Sequence, residues 1–136
     1  MRTAIYDYID GLSSAQKGTF SLSTELPYDS SGVPLYLKNF KRIYVNVAQI
    51  AQDTLLDSLD GSGTVDEITT VGVFFVTDAK TLPSNYDSLV ELIKDARLTT
   101  DITGVIQRLC QVTTRFEQDA LVTEFEFSFR KLITNT

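Results

Sequence analysis

The chain has no histidine and no tryptophan, one cysteine, one methionine and three prolines in 136 residues. Without histidine there is no Ser/His or Cys/His pair, and none of the imidazole-rich sites that hold zinc or iron. A lone Cys110 forbids an intramolecular disulfide and supplies no pair of thiolates for a metal, which fits a reducing compartment. Positive charge is also short. Twelve Lys and Arg against eighteen Asp and Glu leave a net charge of −6, the wrong sign for gripping phosphates over a broad face. No apolar run approaches the roughly 20 residues that cross a bilayer, and residues 1–7 lack the apolar stretch of a signal peptide. The expectation is a chain made and kept in a cytoplasm, with no membrane.

What is present belongs to a globular protein: 43% hydrophobic and 22% charged residues. A domain of about 150 residues hides roughly 70% of its unfolded surface, so one domain can fold here without staples. Its most informative stretch is residues 121–130. Leu121, Thr123, Phe125, Phe127 and Phe129 alternate with Val122, Glu124, Glu126, Ser128 and Arg130. Successive strand side chains point to opposite faces, so this is a half-buried strand with three phenylalanines on a core and carboxylates towards solvent or a partner.

In chain order, Ile5, Tyr8, Ile9 and Leu12 predict a helix over 2–12, with Thr3 as N-cap and Asp7 near its positive end. Residues 19–23 switch to period two and predict a short edge strand or β-arm. Residues 24–39 hold Pro27, Pro34, Gly32, Tyr28 and Tyr36, and read as a long loop. With Leu26 and Leu35 it carries too much apolar surface to wander in water; it either docks on a partner or folds over its own core. Residues 40–48 alternate again, with Ile43, Val45 and Val47 opposite Arg42, Tyr44 and Asn46. Residues 49–60 suit either a short helix through Ile50, Leu55, Leu56 and Leu59 or, the preferred reading, an extended stretch over 49–56, and the turn at 60–63 returns the chain into residues 66–77. The run 68–76 is apolar on both parities, which marks a central strand covered on both faces.

Ser84 is the expected N-cap of a second helix through Tyr86, Leu89, Val90, Ile93 and Ala96. Residues 105–115 form a further strand, with Ile106, Cys110 and Val112 on one parity and an imperfection at Leu109. A turn at 116–119 then leads back into the final strand, making a long antiparallel hairpin. If strands 68–77 and 105–115 were parallel neighbours, the helix between them would make a right-handed crossover. The sum is α+β: one domain over 1–136, a mixed and mostly antiparallel sheet with two helices packed on it.

Chemistry is sparse. Glu124 and Glu126 lie on one strand face about 7 Å apart, a spacing that suits paired carboxylates or a divalent metal. Alternation alone demands polar residues there, so a solvated row is the stronger reading. A small acidic metal-dependent hydrolase using Glu124, Glu126 and an aspartate such as Asp78 is the alternative from another class. Asp57, Asp60 and Asp66 flank Gly61 and Gly63 without the spacing of a calcium loop, and are read as turn residues. Lys38, Lys41 and Arg42, interleaved with Tyr36, Phe40 and Tyr44, form the one basic cluster. It suits stacking on single-stranded nucleic acid, or more simply the positive half of an interface. Cys110 groups with Ile106 and Val112 and is read as core.

Several segments together carry a resemblance: Glu25-Leu26-Pro27, Gly32 to Asn39 running into Arg42-Ile43-Tyr44-Val45-Asn46, Asp78 to Pro83, and Leu121 to Phe129. In these and in its whole layout the chain resembles the tail terminator, or tail-completion, proteins of bacteriophages with long, non-contractile tails. The resemblance implies a virion structural protein without catalysis or cofactor. Such a protein forms a homohexameric ring at the head-proximal end of the tail, caps the tail tube, stops its polymerisation and presents a surface to the head-tail connector. DNA would only pass through the lumen, past six copies of −6 each. An arm bounded by Pro27 and Pro34 and carrying Tyr28, Leu35 and Tyr36 would reach the next subunit. There Glu124 and Glu126 would meet Lys38, Lys41 or Arg42. Another connector or a tube subunit is the alternative within the class. A module that adds a strand at its sheet edge is a third reading.

Overall fold

The computed structural model describes residues 1–38, 40–57, 63–99 and 103–135; within these, the side chains of 38, 47, 48, 53–57, 63, 134 and 135 are left out of the description. The elements are α1 (Arg2–Asp10), α2 (Ser14–Lys17), β1 (Ser21–Leu22), β2 (Arg42–Asp57), β3 (Gly63–Asp78), α3 (Tyr86–Lys94), β4 (Val105–Glu117) and β5 (Ala120–Asn135), with 3₁₀ turns at Tyr36–Lys38 and Asp95–Leu98. One five-stranded sheet has the order β1-β2-β3-β5-β4. β1 runs parallel to β2 and every other pair is antiparallel, so the α+β class and the mixed, mostly antiparallel sheet are found as expected.

The alternation of 121–130 works as read. Phe125, Phe127 and Phe129 stack along one sheet face with centroids 6.4–6.5 Å apart, and α1 and α3 close over them through Ile5, Ile9, Leu89 and Ile93. Spacing i, i+4 puts each helix's two buried residues on one stripe, which is why these short helices lie flat on the sheet. The Tyr8 hydroxyl donates to the Leu92 carbonyl at 2.8 Å and ties the helices together.

Several local expectations are corrected. α1 begins at Arg2 after Met1, which puts Thr3 inside the first turn, and it ends at Asp10, with Leu12 beyond it still packed on the core. α3 begins at Tyr86 after Asn85, not at Ser84. The Asn85 amide is spent on the Gln16 carbonyl, fastening α2 to α3. α2 itself was not anticipated, although Ser13 and Gln16 form a capping box whose sequence signature is Ser-x-x-Gln. The short strand contracts to Ser21–Leu22 and does lie at the edge. Residues 49–57 are strand, and β2 returns through β3 as the hairpin expected; residues 58–62, with Asp60 and Gly61, lie outside the described residues.

β3 is central, but β3 and β4 are not neighbours. β5 lies between them, hydrogen-bonded to both, because a two-residue turn at Gln118-Asp119 folds it straight back along β4. Gln118 takes a positive φ of 55° there, a turn without the usual glycine.

The other sheet face is not simply wet. Tyr44, Phe74, Val76, Ala120 and Val122 are buried there beneath Tyr36, Leu35 and Leu37. Val122, which alternation assigned to the polar face, is fully buried. The sheet therefore has two cores, a larger one under the helices and a smaller one under the 24–38 segment.

Candidate interaction site

The 24–38 segment is an ordered strap across that second face. Its ends meet: Leu35 donates its amide to the Pro27 carbonyl at 2.7 Å, and Tyr28 bridges Pro34. Asp29 turns the tip by accepting from the amides of Ser31 and Val33, both at 2.9 Å, and Gly32 adopts φ 79° there. The Tyr36 ring stacks on Phe74 at 4.9 Å, and Tyr28 meets both rings edge-on. Of the two readings of this loop, the structure shows it folded over its own sheet, with Tyr36 only 3% exposed. Its outer surface still presents Leu26, Tyr28 and Val33 to solvent.

Arg115 of β4 pins the strap. Its guanidinium donates to Glu117, to Glu124 at 2.6 Å and to the Tyr36 hydroxyl at 3.1 Å. Burial works against its charge, but the bonds to Glu117, Glu124 and Tyr36 outweigh that and hold its pKa above the ordinary arginine value. Arg115 was not singled out from sequence. The signal lay in the hairpin: a two-residue turn after Glu117 places Arg115 beside Val122, one diagonal step from Glu124. Removing it strands two carboxylates near one ring hydroxyl. Arg115→Met is expected to lose about 1–3 kcal/mol, with part regained in Arg115→Met/Glu124→Gln, as read from urea denaturation midpoints.

Alkali should act on the same place. Tyr28 meets solvent on one side and Tyr36 and Phe74 on the other; this partial burial, first, then Tyr36 and Glu124 push its hydroxyl up to about 12, with Arg115 pulling the other way. Burial likewise raises Tyr8 and Tyr44. A tyrosine whose folded pKa exceeds its unfolded value keeps its proton in the folded state while the unfolded chain loses it. Stability is thus level below about pH 10 and falls between about 10 and 12. The fall should be shallower in Tyr28→Phe, measured by denaturation across that range.

The remaining predicted residues are dispersed. Glu124 is not part of a solvated row, since Arg115 of its own chain takes it; Glu126, one step on, is exposed. Asp78 accepts from the Lys80 amide at 2.9 Å and lies level with Ala120, about 13 Å along the sheet from Glu124. The three carboxylates of the hydrolase reading therefore do not converge. Among the described residues no group of three or more acidic or thiol side chains is placed to hold a metal ion. Asp66, read as a turn residue, is instead buried within β3 and accepts from Arg130 at 2.8 Å.

In the basic cluster, Arg42 reaches Glu25 at 3.9 Å and Lys41 is exposed; the side chain of Lys38, like that of Asp57, lies outside the described residues. Tyr36 and Tyr44 are buried in the second core, which removes their rings from any stacking on bases. Pro27 is buried, and Pro34 and Leu35 are half-buried along the strap. Cys110 is half-buried against the helix-side core, where burial pushes its thiol up to about 11 against the opposing pull of Arg97 and Lys94. It packs on that core as a small apolar side chain.

No protein-family model and no curated protein sequence matches the chain. Among solved structures, a chain in the virion of a native gene transfer agent particle superposes with a TM-score of 0.55 at 15% identity, over 98% of this chain and 95% of that one. At that identity the likeness is one of fold, and it runs nearly end to end in both chains.

Proposed function

We propose that the protein is a structural component of a phage-like virion, a tail terminator. Its copies close into a homohexameric ring at the head-proximal end of the tail, cap the tail tube, end its polymerisation and join it to the head-tail connector. The observation that carries this reading is the end-to-end likeness of fold to a virion chain. The sequence resemblance to tail-completion proteins bears on the same class of particle. A passive role fits the charge: Arg115 and Arg130 are each neutralised by carboxylates of their own chain, and the chain as a whole carries a net charge of −6. DNA sliding past such a surface is repelled, not held. The outer side of the strap, through Leu26 and Tyr28, together with Lys41, Arg42 and Glu126, would face neighbouring subunits.

Labelling the protein on intact particles tests the assignment. A single focus at the head-proximal end of the tail is expected. Label distributed along the tube would make it a tube subunit, and label on tailless heads a connector; either overturns the terminator assignment.

A further inference from the structure

We propose that the sheet continues from one copy of this chain into the next, the outer edge of β4 pairing antiparallel with the outer edge of β2. This rests on the ring reading above and states how the ring is joined.

Among the described residues, both ends of the sheet are open. β4 is the last strand on one side, and among the described residues no strand lies beyond it. On the other side β1 covers only Arg42 and Ile43 of β2, which runs on to Asp57. The fold uses the first outward groups of β2: the Ile43 carbonyl accepts from the Ser23 amide, and the Val45 carbonyl from Arg2 Nε, each at 2.8 Å. Past that point no further strand covers β2 among the described residues.

Long open edges invite pairing, and proteins usually block them with lysine, proline or brevity. Neither β2 nor β4 contains a lysine or a proline. The arginines of β4 do not guard it, since Arg115 is held by Glu117 and Glu124, and Arg108 donates to the Thr99 carbonyl at 2.8 Å. Large apolar side chains lie exposed on the same two strands: Ile50 (62%) on β2, and Ile106 (60%), Leu109 (52%) and Phe116 (74%) on β4. Joining the edges would cover them.

The strand directions choose the partner. β2, β3, β5 and β4 are successively antiparallel, so β2 and β4 run opposite ways. A copy rotated about an axis along the strands therefore brings its β2 antiparallel to β4. Each copy has one edge of each kind, so the contact is heterologous, the kind that makes a ring when its rotation closes. The backbone agrees: since Ile43 and Val45 turn their carbonyls outward on β2, the alternation carried across β3 and β5 turns those of Cys110, Val112 and Thr114 outward on β4.

Cysteine cross-linking tests this in assembled tails. On a Cys110→Ser background, Gln111→Cys is combined in turn with Asn46→Cys, Gln49→Cys and Ala51→Cys, which share its sheet face and span any stagger between copies. Within one chain β3 and β5 separate these positions by about 14 Å, beyond disulfide reach. Any bond is therefore between copies. Oxidation should give a ladder of covalent multimers up to the full ring in at least one combination, and none when Gln111→Cys is paired with Glu91→Cys on α3. Rings at the tail end with no ladder in any combination would overturn the edge contact and leave the terminator reading standing. No rings at all would bring down both. Thr114→Pro, which deletes an outward amide, should keep a native circular-dichroism spectrum and abolish rings; rings that persist would contradict the contact.

Discussion

Phe127→Ala is expected to lose about 3–5 kcal/mol, a large share of the about 5–15 kcal/mol that holds a typical domain. Phe127 is fully buried, stacked between Phe125 and Phe129, and flanked across the sheet by Val71 and Cys110. Truncation leaves a void between the rings that the stiff strands on either side cannot collapse to fill, so the cavity cost adds to the lost transfer energy. Urea unfolding would show a lower midpoint with an unchanged slope. A loss below about 1 kcal/mol would mean that the phenylalanine stack is not the centre of the helix-side core.

Tyr36→Ala comes second, at about 3 kcal/mol by the same large-to-small argument. It removes the ring stacked on Phe74 and the hydroxyl that Arg115 reaches, so the second core and its pin fail together. Tyr36→Phe keeps the ring and should lose only about 1 kcal/mol. The effect should also be local, with protease cutting within 24–38 in the alanine variant before the sheet unfolds. Equal resistance of the alanine variant and the wild type would mean that the strap is not held by this residue.

These two residues also mark where the sequence was readable. Phe127 sits in a strict alternation, and a side-chain period of two leaves no choice about which residues share a face. Tyr36 sits in an irregular stretch, where no period says what an aromatic ring covers. Docking on a partner and folding inward need the same residues there, and the burial of Phe74, Val76 and Val122 beneath it decides for the second. The same gap hid the role of Glu124: opposite charges meet diagonally across a hairpin only once its register is known, and Gln118-Asp119 gives little notice of a tight turn.

Strand order was hidden for a related reason. A helix between two strands suggested parallel neighbours, but the β4–β5 hairpin pairs locally and inserts β5 against β3 along sixteen residues, from Gly63 opposite Asn135 to Asp78 opposite Ala120. The helix starts lie away from the expected caps Thr3 and Ser84, because the N-cap positions are Met1 and Asn85 and neither makes a side-chain cap bond that would mark it in sequence. The neighbouring glycines make Asp66 resemble a turn residue, because its partner Arg130 lies 64 residues away.

A chain that ends a tube, as proposed, controls tail length. Particles assembled without it should carry tails of uncontrolled, excessive length that fail to join heads, and adding the protein back should restore one length. Tails of normal, uniform length on filled heads in its absence would contradict the claim.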